Sequence, residues 1–189
     1  MGDKMDLYLA SGSPRRKELL QQAGYRFSIV KPDVVECKGV DESPSDYVLR
    51  LAYEKSVKGF AMANPNATVL GSDTVVVLQD RVLEKPVDFQ DSRRMLQALS
   101  GQRHQVLTAI CVINRDKFLS KLVTTDVWFK PLNEEEISQY WQSGEPCDKA
   151  GSYGIQGLGG RFVSRIEGSY YAVVGLPLFE TDQLLQEFL

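Results

Sequence analysis

The chain reads as an α/β protein built on a mixed, twisted sheet with flanking helices, and three observations lead there. Short apolar runs alternate with helical patterns along the sequence, the signature of sheet and helix layers packed on one another. The first run, Leu7-Tyr8-Leu9-Ala10, passes through a tight loop directly into a helix start at Ser13-Pro14. Two long runs rich in β-branched and aromatic residues, 104–113 and 118–129, flank the turn sequence Asn114-Arg115-Asp116-Lys117 and pair antiparallel, so the sheet is not purely parallel. No internal repeat, low-complexity stretch or obvious linker interrupts the pattern, and residues 1–189 read as a single domain.

Local rules supply each element in turn. The helix capped by Ser13 carries Leu19, Leu20 and Ala23 and is stopped by Gly24. Residues 27–30 predict a short strand, and Ser43-Pro44-Ser45-Asp46 predicts a second helix opened by a capping box and running to about Ala63. Asn64-Pro65-Asn66 turns the chain into an apolar run over 68–78, paired as a hairpin with 81–84. A helix over 91–99 ends near Gly101, and Asn133 caps a helix whose first turn is correctly acidic. After a glycine-rich segment, 144–168, the chain is predicted to close with a strand over 170–174 and a helix from Pro177.

Composition narrows the class. With 189 residues, 43% apolar and 25% charged, the chain is long enough to bury a large core and ordinary for a soluble protein. A net charge of -3 argues against a protein whose main task is to hold a nucleic-acid backbone, so any anion is met by a local cluster, and a small phosphorylated ligand fits better. Cys37, Cys111 and Cys147 are odd in number and form no C-x-x-C pair, which favours reduced thiols in a cytosol. No apolar run approaches the roughly 20 residues of a membrane span, and Met1-Gly2-Asp3-Lys4 leads into no signal-peptide core. The expectation is a cytoplasmic protein without membrane or nucleic-acid partners.

Several residues break local rules in ways that suggest chemistry. In Ser11-Gly12-Ser13-Pro14-Arg15-Arg16 two arginines occupy the first turn of a helix, where the dipole is positive and each cation loses about 0.3 to 1 kcal/mol. Exposed N–H groups, two hydroxyls and two guanidiniums suit a bound polyphosphate; the alternative is a capped helix whose arginines point into water. Lys55 falls on the apolar face of its helix with Val48, Leu51 and Ala52, either as a ligand contact or as a lysine snorkelling at the core rim. Asp73 interrupts Val69-Leu70-Gly71-Ser72-Asp73-Thr74-Val75-Val76-Val77, a run suited to a buried strand, so its carboxylate needs a partner, a metal or a cavity, or is a structural acid bonded to backbone or arginine. Lys85, at the hairpin exit, reads as ligand contact or plain solvated lysine.

The stretch from Asp148 to Gly160 matches neither a P-loop nor a dinucleotide fingerprint; its glycines permit close approach to a ligand or make a flexible surface loop. His104 is the single histidine, which excludes multi-histidine zinc sites and leaves His104 a structural residue. Any metal should then be a hard cation such as Mg²⁺ or Mn²⁺, held by carboxylates and phosphate oxygens.

Taken together these blocks resemble the Maf family of nucleoside triphosphate pyrophosphatases over nearly the whole chain. The similarity lies in Ser11 to Arg16, in Asp41-Glu42-Ser43-Pro44 through Arg50-Leu51-Ala52 to Glu54-Lys55, and in Gly71-Ser72-Asp73-Thr74-Val75-Val76. It continues in Glu84-Lys85-Pro86, Leu99-Ser100-Gly101, Asp148 to Gly157, and Val174-Gly175-Leu176-Pro177. Ser72 stands where alanine is common in the family, and Glu84 where glycine is common. The resemblance implies an elongated two-lobed fold shared with inosine triphosphate pyrophosphatases, a central substrate cleft, and frequent homodimers.

It also implies hydrolysis of a nucleoside triphosphate to monophosphate and pyrophosphate, with a house-cleaning role in nucleotide pools. Arg15, Thr74 and Gln156 follow the branch that acts on dTTP and UTP; the 7-methyl-GTP branch carries tryptophan, glutamine and glutamate there. On this reading Asp73 is the general base, Ser11, Arg16, Lys55 and Lys85 hold the phosphates, and Arg15, Thr74 and Gln156 face the nucleoside. Glu36 assists Asp73 with the Mg²⁺ or Mn²⁺. The rival expectations are a pyrophosphatase for noncanonical or purine triphosphates, and a nucleotide-binding regulator of cell division that inhibits septum formation.

Overall fold

The computed structural model describes residues 6–189. The strands β1 (Leu7–Ala10), β2 (Ser28–Val30), β3 (Thr68–Leu78), β4 (Arg81–Leu83), β5 (Arg103–Ile113), β6 (Phe118–Phe129) and β7 (Val163–Glu167) hydrogen-bond in the order β2-β1-β3-β5-β6-β7, with β4 against β3, and the sheet is mixed. The chain forms two compact units: one holds the described residues up to Asp73, Thr108–Val123 and Gly175–Leu189, the other Thr74–Leu107 and Thr124–Val174. Three strands, β3 (Thr68–Leu78), β5 (Arg103–Ile113) and β6 (Phe118–Phe129), each contribute residues to both units.

In the first unit β1 (Leu7–Ala10) pairs parallel with β2 (Ser28–Val30) on one side and with β3 on the other. Helix α1 (Pro14–Gln22) starts as expected, with Ser13 as N-cap accepting from the Arg16 N–H and Gly24 beyond its end in the left-handed region at φ +86°. Helix α2 (Pro44–Met62) lies close on the strands, because glycine permits it. A Cβ at Gly71 would sit 2.6 Å from the Ala52 carbonyl oxygen. Its N-terminus corrects the expected capping box: Ser43 accepts from the Asp46 N–H, but the Asp46 carboxylate takes the Ser43 hydroxyl at 2.7 Å and does not reach back to the cap N–H. Aspartate, one methylene shorter than the glutamate of that motif, closes the smaller ring. Leu9, Leu20, Leu51, Leu70, Ile110 and Leu176 fill this core.

The second unit is built on β4 (Arg81–Leu83), α3 (Phe89–Leu99), α4 (Glu134–Gln142) and β7 (Val163–Glu167), with Leu96, Leu99, Phe129, Tyr140, Tyr153 and Phe162 in one core. Helix α3 starts two residues earlier than the sequence suggests, since Asp88 caps it through the Asp91 N–H. Residues 170–174 overturn the expected closing strand. They form a short helix, α5 (Tyr170–Val174). Ser169, fixed by hydrogen bonds with Thr125, caps the Ala172 N–H at 3.1 Å, so a local cap overrides the strand propensity of tyrosine and valine. In place of a strand over 170–174, β7 pairs with the edge of β6 away from β5, with Ile166 opposite Val127, inside the segment read only as glycine-rich. Helix α6 (Leu178–Gln186) ends the chain.

Candidate active site

Asp73 lies on β3 two residues beyond Gly71, on the strand face that α2 covers, and is only 6% exposed. On α2, Lys55 follows Ala52 and Leu51 at helical spacing, so its stem runs along the buried face and its ammonium meets the carboxylate, Nζ to Oδ1 at 2.6 Å. The same ammonium donates to Glu36 Oε1 at 2.7 Å. Burial pushes the Asp73 carboxyl above its ordinary 3.8, the charges of Lys55 and Arg16 pull the other way, and Glu36 adds to the rise. The result is a carboxylate more basic than usual, held by an ion pair.

The loop from β1 to α1 supplies the second half of this cluster. Ser11, 7% exposed, turns its hydroxyl oxygen to the Ser13 N–H at 3.1 Å, and the Ser13 hydroxyl caps the helix. Arg16 does not simply point into water. Its Nε donates to the Gly175 carbonyl at 2.8 Å, and the Ser72 hydroxyl donates to the same oxygen at 3.2 Å. The Gly-Leu-Pro turn before α6 thus orients Arg16, and Ser72 has a bond that alanine there would not make. Desolvation pulls the Arg16 pKa below its ordinary value, the negative charge of Asp73 raises it, and neighbouring Arg15 lowers it further; a guanidinium remains charged throughout.

Sequence reasoning missed the clamp on the Glu36 loop. Arg50 on α2 grips Glu42 in a bidentate pair, at 2.6 and 2.9 Å, and also donates to the Cys37 carbonyl at 3.0 Å, next to Glu36. Hydrogen bonds from Arg50 and then from the Gly39 N–H hold the Glu42 carboxyl at about 2. The only signal was the presence of Glu42 and Arg50 in one motif block.

Thr74, Lys85 and Gln156 belong to the second unit. Thr74 is half-buried on β3, Lys85 is exposed beyond β4, and Gln156 is exposed in the glycine-rich segment. The structure therefore joins Asp73, Lys55 and Glu36 by direct bonds, with Arg16 within electrostatic reach of Asp73; Thr74 follows Asp73 on β3, while Lys85 and Gln156 lie on other segments. His104 is 2% exposed, shares a 2.7 Å bond with the Tyr153 hydroxyl, and stands edge-on to Phe129, an aromatic core contact. The cysteines are free thiols, two exposed and Cys111 buried.

Whether the donors suit a hard divalent cation turns on Glu36 and Asp73. Their carboxylates converge on one ammonium, and among the described residues no group of three or more histidine, cysteine or acidic side chains gathers as a metal nest. Two carboxylates fit Mg²⁺ or Mn²⁺, ions that commonly take one or two protein oxygens and complete their shell with substrate phosphate and water.

A basic carboxylate on an ammonium, beside a helix start that offers N–H groups and guanidiniums, is the equipment of a hydrolase acting on phosphate linkages. A family model described as "Maf-like protein" matches residues 6–188, and the chain belongs to that family. It is 70% identical over 189 residues, 100% of both chains, to a dTTP/UTP pyrophosphatase of Vibrio parahaemolyticus. To the protein of the same name from Vibrio cholerae it is 63% identical over 182 residues, 96% of this chain and 97% of that one. The Saccharophagus degradans dTTP/UTP pyrophosphatase is 55% identical over 97% of this chain and 89% of its own. Among solved structures, "The structure of the Staphylococcus aureus Ham1 protein" aligns with a TM-score of 0.46 at 14% identity, covering 66% of this chain and 71% of that one.

Proposed function

We infer that this chain hydrolyses dTTP and UTP to the monophosphate and pyrophosphate. The observation that carries the reading is the buried Asp73–Lys55 pair, at 2.6 Å, beside the Arg16 loop; the names of relatives 55% to 70% identical supply the substrates. Asp73 takes the proton of a water whose oxygen attacks a phosphorus of the triphosphate, while the phosphoanhydride bond breaks and pyrophosphate leaves. Lys55, Arg16, Ser11 and Lys85 hold the phosphates, and no covalent nucleophile is needed. Arg15, Thr74 and Gln156 face the nucleoside. Glu36 and Asp73 would hold Mg²⁺ or Mn²⁺, which when bound neutralises phosphate charge.

No described helix is long and apolar enough to cross a membrane. Homodimerisation belongs to the same reading and is tested by sedimentation.

Initial rates of pyrophosphate release across the common ribo- and deoxyribonucleoside triphosphates, with Mg²⁺ or Mn²⁺, test the proposal. Turnover is expected on UTP and dTTP, arrested by chelation and restored by either metal. Binding without release would favour a regulator, and release from purine nucleotides alone would overturn the substrate assignment.

A further inference from the structure

Uracil and thymine present carbonyl, N–H, carbonyl along one edge, and a glutamine amide matches it in one orientation; flipped, the same amide matches cytosine. Discrimination by Gln156 begins with where the backbone presents that amide to the base edge. The chain supplies a holder. Tyr140 on α4, fully buried and packed edge-on to Phe162, donates its hydroxyl to Glu145 Oε1 at 2.6 Å and accepts from the Gly154 N–H at 3.1 Å. Glu145 in turn accepts from the Gly159 N–H at 3.0 Å on Oε1 and from the Leu158 N–H at 2.7 Å on Oε2. Gln156 lies midway between these anchors, two residues from Gly154 and two from Leu158.

The glycines of this segment serve the clamp. A Cβ at Gly157 would lie 2.6 Å from the Glu145 carboxyl carbon, and one at Gly159 would lie 2.6 Å from the Tyr140 hydroxyl. They are sites of close approach and not a flexible surface loop. Desolvation raises the Glu145 pKa, but hydrogen bonds from Tyr140 and the two amides more than offset it, so the acceptor stays ionised at neutral pH.

We propose that Glu145, acting with Tyr140, is the positioning residue that holds the backbone from which Gln156 reaches the uracil or thymine edge. This rests on the reading that Gln156 faces the base. Glu145→Gln turns one acceptor into an NH₂ group that meets one of the backbone N–H groups donor to donor, and Tyr140→Phe removes the hydroxyl that ties both anchors together.

The test measures kcat/KM on UTP and CTP for the wild type, Gln156→Ala, Glu145→Gln and Tyr140→Phe, with melting temperature and amide hydrogen exchange at Leu158 and Gly159. The expected result is faster exchange at both amides and a fall of about tenfold in the UTP-to-CTP ratio in both clamp variants, carried by KM more than kcat. Tyr140→Phe stands in should Glu145→Gln fail to fold. A ratio kept in the clamp variants but lost in Gln156→Ala overturns the inference alone. A wild type without preference for UTP over CTP, despite releasing pyrophosphate, overturns the base reading beneath it.

Discussion

Two regions of this molecule reach order by different means. Around Asp73 the first unit concentrates charge: a buried carboxylate, an ammonium at 2.6 Å, a second carboxylate on that ammonium and a guanidinium tied to a backbone carbonyl. Around Gln156 the second unit works through backbone, with three amides of a glycine-rich turn gathered onto one carboxylate and one tyrosine hydroxyl. The first arrangement alters the basicity and charge of the groups it contains, which is what bond breaking needs. The second leaves its exposed side chain chemically ordinary and fixes only the backbone that presents it, which is where selection between similar bases starts. Chemistry and recognition should therefore fail separately.

The largest effect expected is that of Asp73→Asn, which keeps the size of the side chain and removes the basic oxygen. Pyrophosphate release should fall about a hundredfold to ten-thousandfold on every substrate while nucleotide binding, followed by calorimetry, survives. Lys55→Met keeps the apolar stem and removes the charge, so kcat/KM should fall about a hundredfold. It should also move the acid limb of the pH–rate profile. Because burial already raises the Asp73 pKa above 3.8 and the Lys55 charge is the largest restraint on that rise, ahead of Arg16, losing it shifts the limb to higher pH. A limb that stays in place would detach Lys55 from Asp73.

The smallest effect concerns stability. Burial holds His104 at about 4, below its ordinary 6.5, so the unfolded chain takes up a proton first as pH falls. The His104 contribution to stability is full above pH 6.5 and is lost as pH falls toward 4, on the order of 3 kcal/mol in all. His104→Gln should flatten the melting temperature across that window, and an unchanged slope would place the acid sensitivity elsewhere.

The charged region was largely legible in the sequence. Asp73 announced itself by interrupting a β-branched run, Lys55 by landing on an apolar helix face, and Arg16 by standing where a helix dipole repels it. Each broke a local rule, and local rules are what a sequence displays. Glu36 carried no such mark and entered through the family resemblance alone. The Arg50–Glu42 clamp and the Glu145 hub were invisible because an acidic residue in a loop looks solvated until the amides it accepts are known. The helix over 170–174 was misread for the same reason: its cap depends on Thr125, 44 positions away from Ser169. The glycines between Gly154 and Gly160 left flexibility and close approach equally open, and only the neighbouring side chains decide between them.

The separation of chemistry from recognition is tested most directly by one crossed measurement: kcat/KM on UTP and CTP for the wild type, Asp73→Asn, Gln156→Glu and the double variant. The account predicts that Asp73→Asn lowers both rates by the same factor and leaves their ratio untouched. Gln156→Glu should lower UTP turnover about tenfold or more and shift the ratio, and the two changes should combine as a product in the double variant. A ratio altered by Asp73→Asn, or unaltered by Gln156→Glu, would contradict it.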